Sequence, residues 1–245
     1  MAHFVQFVPF KMLISACCFG TIKHISQLYA ETDKQKLLAR EMIGLVHAFI
    51  ASSLALFAFL SQPSLLDDLI LNTNVWAEHC VAIGTGYFLA DTIIIIFKWC
   101  TDHGARDSSN AIILVHHLAA LVTFNFAMYV EKFMGYSTMC FILEGSSIFL
   151  KARKIWKIKE YPGIGHASYH LLATLNMAAF IIFRLFVVIY AIFWWYHNIH
   201  RLSILYTILP SVGSVMVAVI NVRYFQLLVK SDLLPMLKHA KSKLQ

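Results

Sequence analysis

Two adjacent histidines, His116 and His117, lie inside an apolar run of a 245-residue chain. A neutral imidazole titrates near working pH, so either one could act as a general base on an amine or a hydroxyl. Asp91 and Glu144, also set among apolar residues, are the carboxylates that could orient such a base. Arg184 or Asn176 could stabilise an oxyanion as it develops. His116, His117, Asp91 and Glu144 are therefore the candidate catalytic residues. His47, Asn176, Arg184 and Asn221 are the candidate substrate-binding residues. Polar groups in hydrophobic segments are costly and usually functional, which makes this set the starting point.

The segments that hold these residues set the class of the molecule. Hydrophobic residues make up 59% of the chain and charged residues 13%, with a mean hydropathy of +0.68. Soluble domains carry about 25% charge, and so little of it cannot coat a water-facing surface. A soluble enzyme, a nucleic-acid-binding domain and a disordered chain are excluded. Apolar runs near the ~20 residues a span requires occur at 4–22, 42–60, 80–98, 111–130, 133–150, 168–195 and 202–226. The expected fold is all-α: a polytopic membrane protein built as a compact bundle of seven transmembrane helices. The first run is interrupted by Pro9 and Lys11 and has no basic leader or clear cleavage site, so it is expected to be retained. The expected layout is a first helix and loop over 1–34, a membrane domain over 35–230 and a basic tail over 231–245.

Lys and Arg orient the bundle. Segments 23–41, 98–110, 151–167 and 227–245 hold fifteen of them, and the opposite loops hold only Lys132 and Arg201. The positive-inside rule then places the N-terminus in the lumen and the tail in the cytosol. The net charge of +7 is mainly topology and implies no nucleic acid. On this layout the polar residues share one depth, roughly 8–12 Å below the cytosolic boundary at 1.5 Å per residue. A structural hydrogen-bond network could lie at any depth, whereas a common depth fits a cavity. Neighbours on a helix differ by about 100°, so His116 and His117 cannot face the same way. His116 shares a face with Ala120, Thr123 and Ala127, and His117 with Leu121, Phe124 and Met128. Which of the two faces a cavity stays open at this point.

The order of these motifs resembles the TLC-domain family (TRAM, LAG and CLN homology). The run Arg40 to His47 enters the second span, Gly86 to Asp91 follows, and the His116–His117 pair comes next. Leu143 to Arg153 resembles the family's acidic segment with its following Arg, and Asn176 to Arg184 its Asn-to-Arg pattern. The resemblance implies a compact multi-helix fold in the endoplasmic reticulum membrane and a role in lipid metabolism or homeostasis. Ceramide synthases of that family join an acyl-CoA to an amine, and their signature adds a pair of Asp in the helix after the tandem His. Residues 118–150 contain no Asp, only Glu131 and Glu144, so the pattern is closer to the small TLC-domain-containing proteins. Acyl transfer to a lipid amine or hydroxyl is the leading expectation, with acyl-CoA as co-substrate and no bound cofactor. The alternative is a non-enzymatic protein that binds or regulates a lipid or a cargo. Lys151, Arg153, Lys154, Lys157 and Lys159 could receive coenzyme A phosphates. No metal set is expected, because the His are too scattered. The partners expected are membrane lipids, acyl-CoA and, if Lys241 and Lys243 form a Lys-x-Lys-x-x retrieval signal, coat proteins.

Overall fold

The computed structural model describes residues 8–101, 108–163 and 166–242, and among these it contains helices and no strand. Helix α1 is Val8–Leu28, α2 Asp33–Ser61, α3 Val75–Thr101 and α4 Ser108–Val130. After a turn come α5 (Met134–Ile142) and α6 (Glu144–Ile158), broken at Leu143. Helix α7 (Ala167–Phe180) continues through a π-helical turn, Ile181–Phe186, into α8 (Val187–Asn198). Helix α9 (Ile204–Leu228) continues through a second π-helical turn, Val229–Leu233, into α10 (Leu234–Ser242).

Five of the described helical stretches are long and apolar enough to cross a membrane: Asp33–Ser61, Val75–Thr101, Ala111–Val130, Ala167–Arg201 and Tyr206–Lys238. The first and fifth expected spans are not among them. Helix α1 carries Pro9, Lys11 and Lys23, and α5 and α6 are each too short for about 30 Å of hydrocarbon. Residues 231–242, the described part of the expected basic tail, are helical. Lys23, counted with the cytosolic charge, is instead buried in α1 at 2% exposure.

Small residues set the helix spacing. Ala48, Ala51, Ala55 and Ala58 are fully buried along one face of α2, which lets its neighbours α3 and α6 approach closely. Helix α1 lies along α3. The contact is so close at Gly86 that an added Cβ would sit 2.5 Å from the Met12 carbonyl and 2.6 Å from Ser15 Cβ. Helix α2 starts at a capping box, with Gln35 N–H donating to Thr32 Oγ1 (3.2 Å) and Thr32 N–H to Gln35 Oε1 (3.1 Å). At the α4–α5 turn, Glu131 and Phe133 take positive φ angles of 54° and 64°. Burial of the Phe133 ring and its N–H bond to Ile70 O (2.7 Å) offset that strain. That bond also pins the 62–74 loop, whose Leu65, Leu69 and Ile70 are buried. The hydrophobic core runs from there through Tyr136, Trp194 and Trp195.

Candidate functional site

Three helices meet at Asp91. The carboxylate, on α3, ion-pairs with Lys23 of α1. Its other oxygen lies 3.2 Å from Nδ1 of His117 on α4, off the line of a directed hydrogen bond. One charged pair and one imidazole are thus held together at under 10% exposure. The wall is aromatic. His47 of α2 stacks on Tyr87 with centroids 3.8 Å apart, Lys23 Nζ lies 4.4 Å over the same ring, and Phe88 lies 4.9 Å from His117. Both ring nitrogens of His47 are buried without a hydrogen-bond partner, an unusual state for a polar group at 2% exposure.

Arg184 sits in the first π-helical turn, where the widened backbone carries it toward α6 and α9. Its Nε donates to Ser146 Oγ, one terminal nitrogen to Asn221 Oδ1 (3.0 Å) and the other to Ser147 Oγ (3.0 Å). Gly145, just before these serines, packs against the Phe183 ring, where an added Cβ would be 3.0 Å from it. Asn176 donates to Asp232 Oδ2 at 3.5 Å.

Two cavities lie among these residues. The larger has a volume of about 560 Å³ and is lined by His47, Asp91, His116, His117, Glu144, Asn176 and Arg184, among others. It reaches the surface at exposed residues such as Arg223. The smaller, about 90 Å³, is mostly apolar and runs between α4, α8 and α9 to Tyr136 and Ser214, whose hydroxyls lie 2.9 Å apart. His116, Glu144, Arg184 and Phe88 line both cavities, and Asn221 lines the smaller one alone. Both tandem histidines line the larger cavity; His116, with Ala120 and Thr123, also lines the apolar one, and His117 turns to Asp91. Among the described residues no three His, Cys, Asp or Glu side chains gather as a metal site. The arrangement offers a base with a carboxylate at its Nδ1, a fixed guanidinium, and one polar and one apolar chamber that meet beside them.

Three features escaped the sequence. Lys23 looked like a loop charge, because nothing in its local pattern extends α1 past residue 22. Glu41 was read only as part of a motif, yet it is 2% exposed and surrounded by Lys151 (2.8 Å), Lys154 (3.6 Å) and Arg40 (3.7 Å). Arg153 is not a free cation for a coenzyme A phosphate. It is 6% exposed, ion-paired with Asp232, and donates to Ser231 O at 3.3 Å. The signal for that pair was an Asp in an otherwise basic tail. Of the retrieval residues, Lys243 lies outside the described residues, and Lys241 is described only as backbone in α10.

Membrane-length helices around an internal polar cavity define a multi-pass membrane protein. A family model for the TLC domain matches residues 38–230, and the chain belongs to that family. Its relatives include TLC domain-containing protein 1 of Gallus gallus, 26% identical over 203 residues (80% of this chain, 74% of the relative). TLC domain-containing protein 2 of Mus musculus is 26% identical over 181 residues (74% of this chain, 56% of the relative). TLC domain-containing protein 4-B of Xenopus laevis is 22% identical over 182 residues (70% and 65%). These relatives are TLC domain-containing proteins rather than ceramide synthases. Lys23 lies outside the matched segment, while Asp91 and His117 lie inside it.

Proposed function

We propose that this chain is a multi-pass protein of the endoplasmic reticulum membrane, with a lumenal N-terminus and a cytosolic tail, that transfers an acyl group from acyl-CoA to a lipid amine or hydroxyl. The observation that supports this most is the His117–Asp91 pair (3.2 Å) in a polar chamber that joins an apolar one. In this reading Asp91 orients the His117 ring, and the far ring nitrogen takes the acceptor's proton as the acceptor attacks the thioester carbonyl. The C–S bond breaks, and His117 returns the proton to the coenzyme A thiolate. His116 and Phe88 flank the junction where the acyl chain would pass toward Tyr136. Lys241 and Lys243 would return the protein to the reticulum through coat proteins.

A second reading, binding of a lipid without reaction, is favoured by Arg184. All three of its nitrogens already donate to Ser146, Ser147 and Asn221, which leaves less for an oxyanion. Release of free coenzyme A by the purified protein separates the two. The transferase reading expects wild type to release it from acyl-CoA in the presence of a lipid acceptor. His117→Ala should lower the rate at least about 100-fold while the protein stays folded. A well-folded wild type that retains acyl-CoA or lipid without releasing coenzyme A supports the binding reading.

A further inference from the structure

The larger cavity holds more positive charge than its own acids can balance. Eight Lys and Arg side chains line it, against three carboxylates: Glu41, Asp91 and Glu144. Lys23 is matched by Asp91 and Arg153 by Asp232, which leaves a cluster at the rim where α2 meets α6. There Arg40, Lys151 and Lys154 converge on Glu41 alone. Gly44, one turn along α2, has no side chain to obstruct Lys151; a Cβ there would be 3.0 Å from its Nζ. Glu41 bonds closely to one of them only: Lys151 Nζ lies 2.8 Å from its Oε2, while Lys154 and Arg40 stand back at 3.6 and 3.7 Å. Three cations about one buried carboxylate, at the edge of a cavity with room for a ligand, form an anion site whose internal anion leaves two of its cations without a close partner in the carboxylate.

We propose that Arg40, Lys151 and Lys154 form a phosphate-binding site and that Glu41 is its internal competitor, displaced when a phosphate of an anionic ligand enters. A phosphate has oxygens enough for all three cations, whereas Glu41 engages them at 2.8, 3.6 and 3.7 Å. The glutamate keeps the cluster compensated when no ligand is present and makes binding selective for groups more strongly anionic than a carboxylate. The inference goes beyond acyl transfer and does not require it. The phosphate could belong to coenzyme A or to a phospholipid headgroup.

The test measures binding to the purified full-length protein in nanodiscs, with coenzyme A carrying no acyl chain as one probe. The other probe is phosphatidic acid, measured in nanodiscs that contain it against nanodiscs of phosphatidylcholine alone. Glu41→Gln keeps the shape and removes the competing charge, so it should tighten probe binding about tenfold, the scale of one charge-assisted bond. Lys154→Met should weaken binding by about the same factor. That side chain is 44% exposed, so the fold tolerates the change. Binding of coenzyme A identifies a soluble phosphate source, and binding of phosphatidic acid alone identifies a headgroup. The second result sustains the site while removing support for acyl-CoA. Weaker or unchanged binding in Glu41→Gln overturns the competitor role. If neither probe binds wild type or Glu41→Gln, or if Lys154→Met binds as wild type does, the phosphate site is wrong.

Discussion

Replacing Asp232 with Asn tests the most deeply buried ion pair that the fold builds. Asp232 is 1% exposed and Arg153 6%. The carboxylate also accepts from Tyr169 Oη (3.3 Å) and Asn176 Nδ2 (3.5 Å), so one side chain joins α6, α7 and the second π-helical turn. After the change Arg153 keeps its 3.3 Å bond to Ser231 O and faces at most a neutral amide oxygen in place of the carboxylate, and its Nε already lacks a partner. Removing one member of a buried pair typically costs about 3–5 kcal/mol, mostly the cost of the charge left behind. For a chain of this size that corresponds to a fall in Tm of about 6–20 °C. Thermal unfolding in detergent measures it, and the double variant Arg153→Met/Asp232→Leu supplies the control. An apolar pair of similar volume leaves no stranded charge but takes the acceptor from Tyr169 and Asn176, so the double variant should recover part of the loss and not all of it. If Asp232→Asn lowers Tm by less than about 2 °C, or the double variant is no better than the single, the buried-pair account is wrong.

Gly86→Ala should destabilise the protein by about 1–3 kcal/mol, because the new methyl meets Met12 backbone rather than a side chain that can swing away. Scanning calorimetry of the variant checks this; an unchanged Tm would mean that α1 and α3 are not in contact there. On the loop side, burial raises the Asp68 carboxyl, but its bonds to Arg201 and to the Leu71 and Ile70 amides outweigh that and hold it below its ordinary value. A depressed carboxylate contributes stability that is present above its unfolded value, near ~3.9, and lost as pH falls through the lower folded value. Asp68→Asn should therefore cost no more than about 1 kcal/mol at neutral pH, and nothing in strong acid, in chemical denaturation followed across pH.

Local composition made most of the helices legible. The apolar lengths of α3 and α9 follow from runs with little charge, whereas α2 starts at Asp33, nine residues before the apolar run at 42–60. The break at Leu143 is not legible, because 133–150 reads as one largely apolar run, while Ser146, Ser147 and Gly145 just beyond the break pack around Arg184 and Phe183. The two π-helical turns were invisible too. Equal depth on neighbouring helices pointed to His47, Asp91, His117 and Glu144 together, and all four line the larger cavity; Arg184, read as lying deeper, lines it too. Which charges pair was not. Lys23, Arg153 and Asp232 look like loop and tail residues, and their burial depends on helix ends that the hydropathy pattern places several residues too early.

The tandem histidines show why one residue of offset matters. A turn of about 100° separates the two side chains, and the structure uses that angle to serve two environments from one helix. His117 is committed to charge, with Asp91 at 3.2 Å and Lys23 beyond it. His116 lies at the boundary with the apolar cavity, 6.0 Å from the Phe88 ring centroid. Phe88 also touches His117, His47 and, through Phe124 and Phe141, the wall of the apolar cavity. Phe88 thus stands, with His116, Glu144 and Arg184, at the junction of a polar chamber and a mostly apolar one. Under the proposed function, an amphiphile with an anionic head and an alkyl tail would place one half in each chamber.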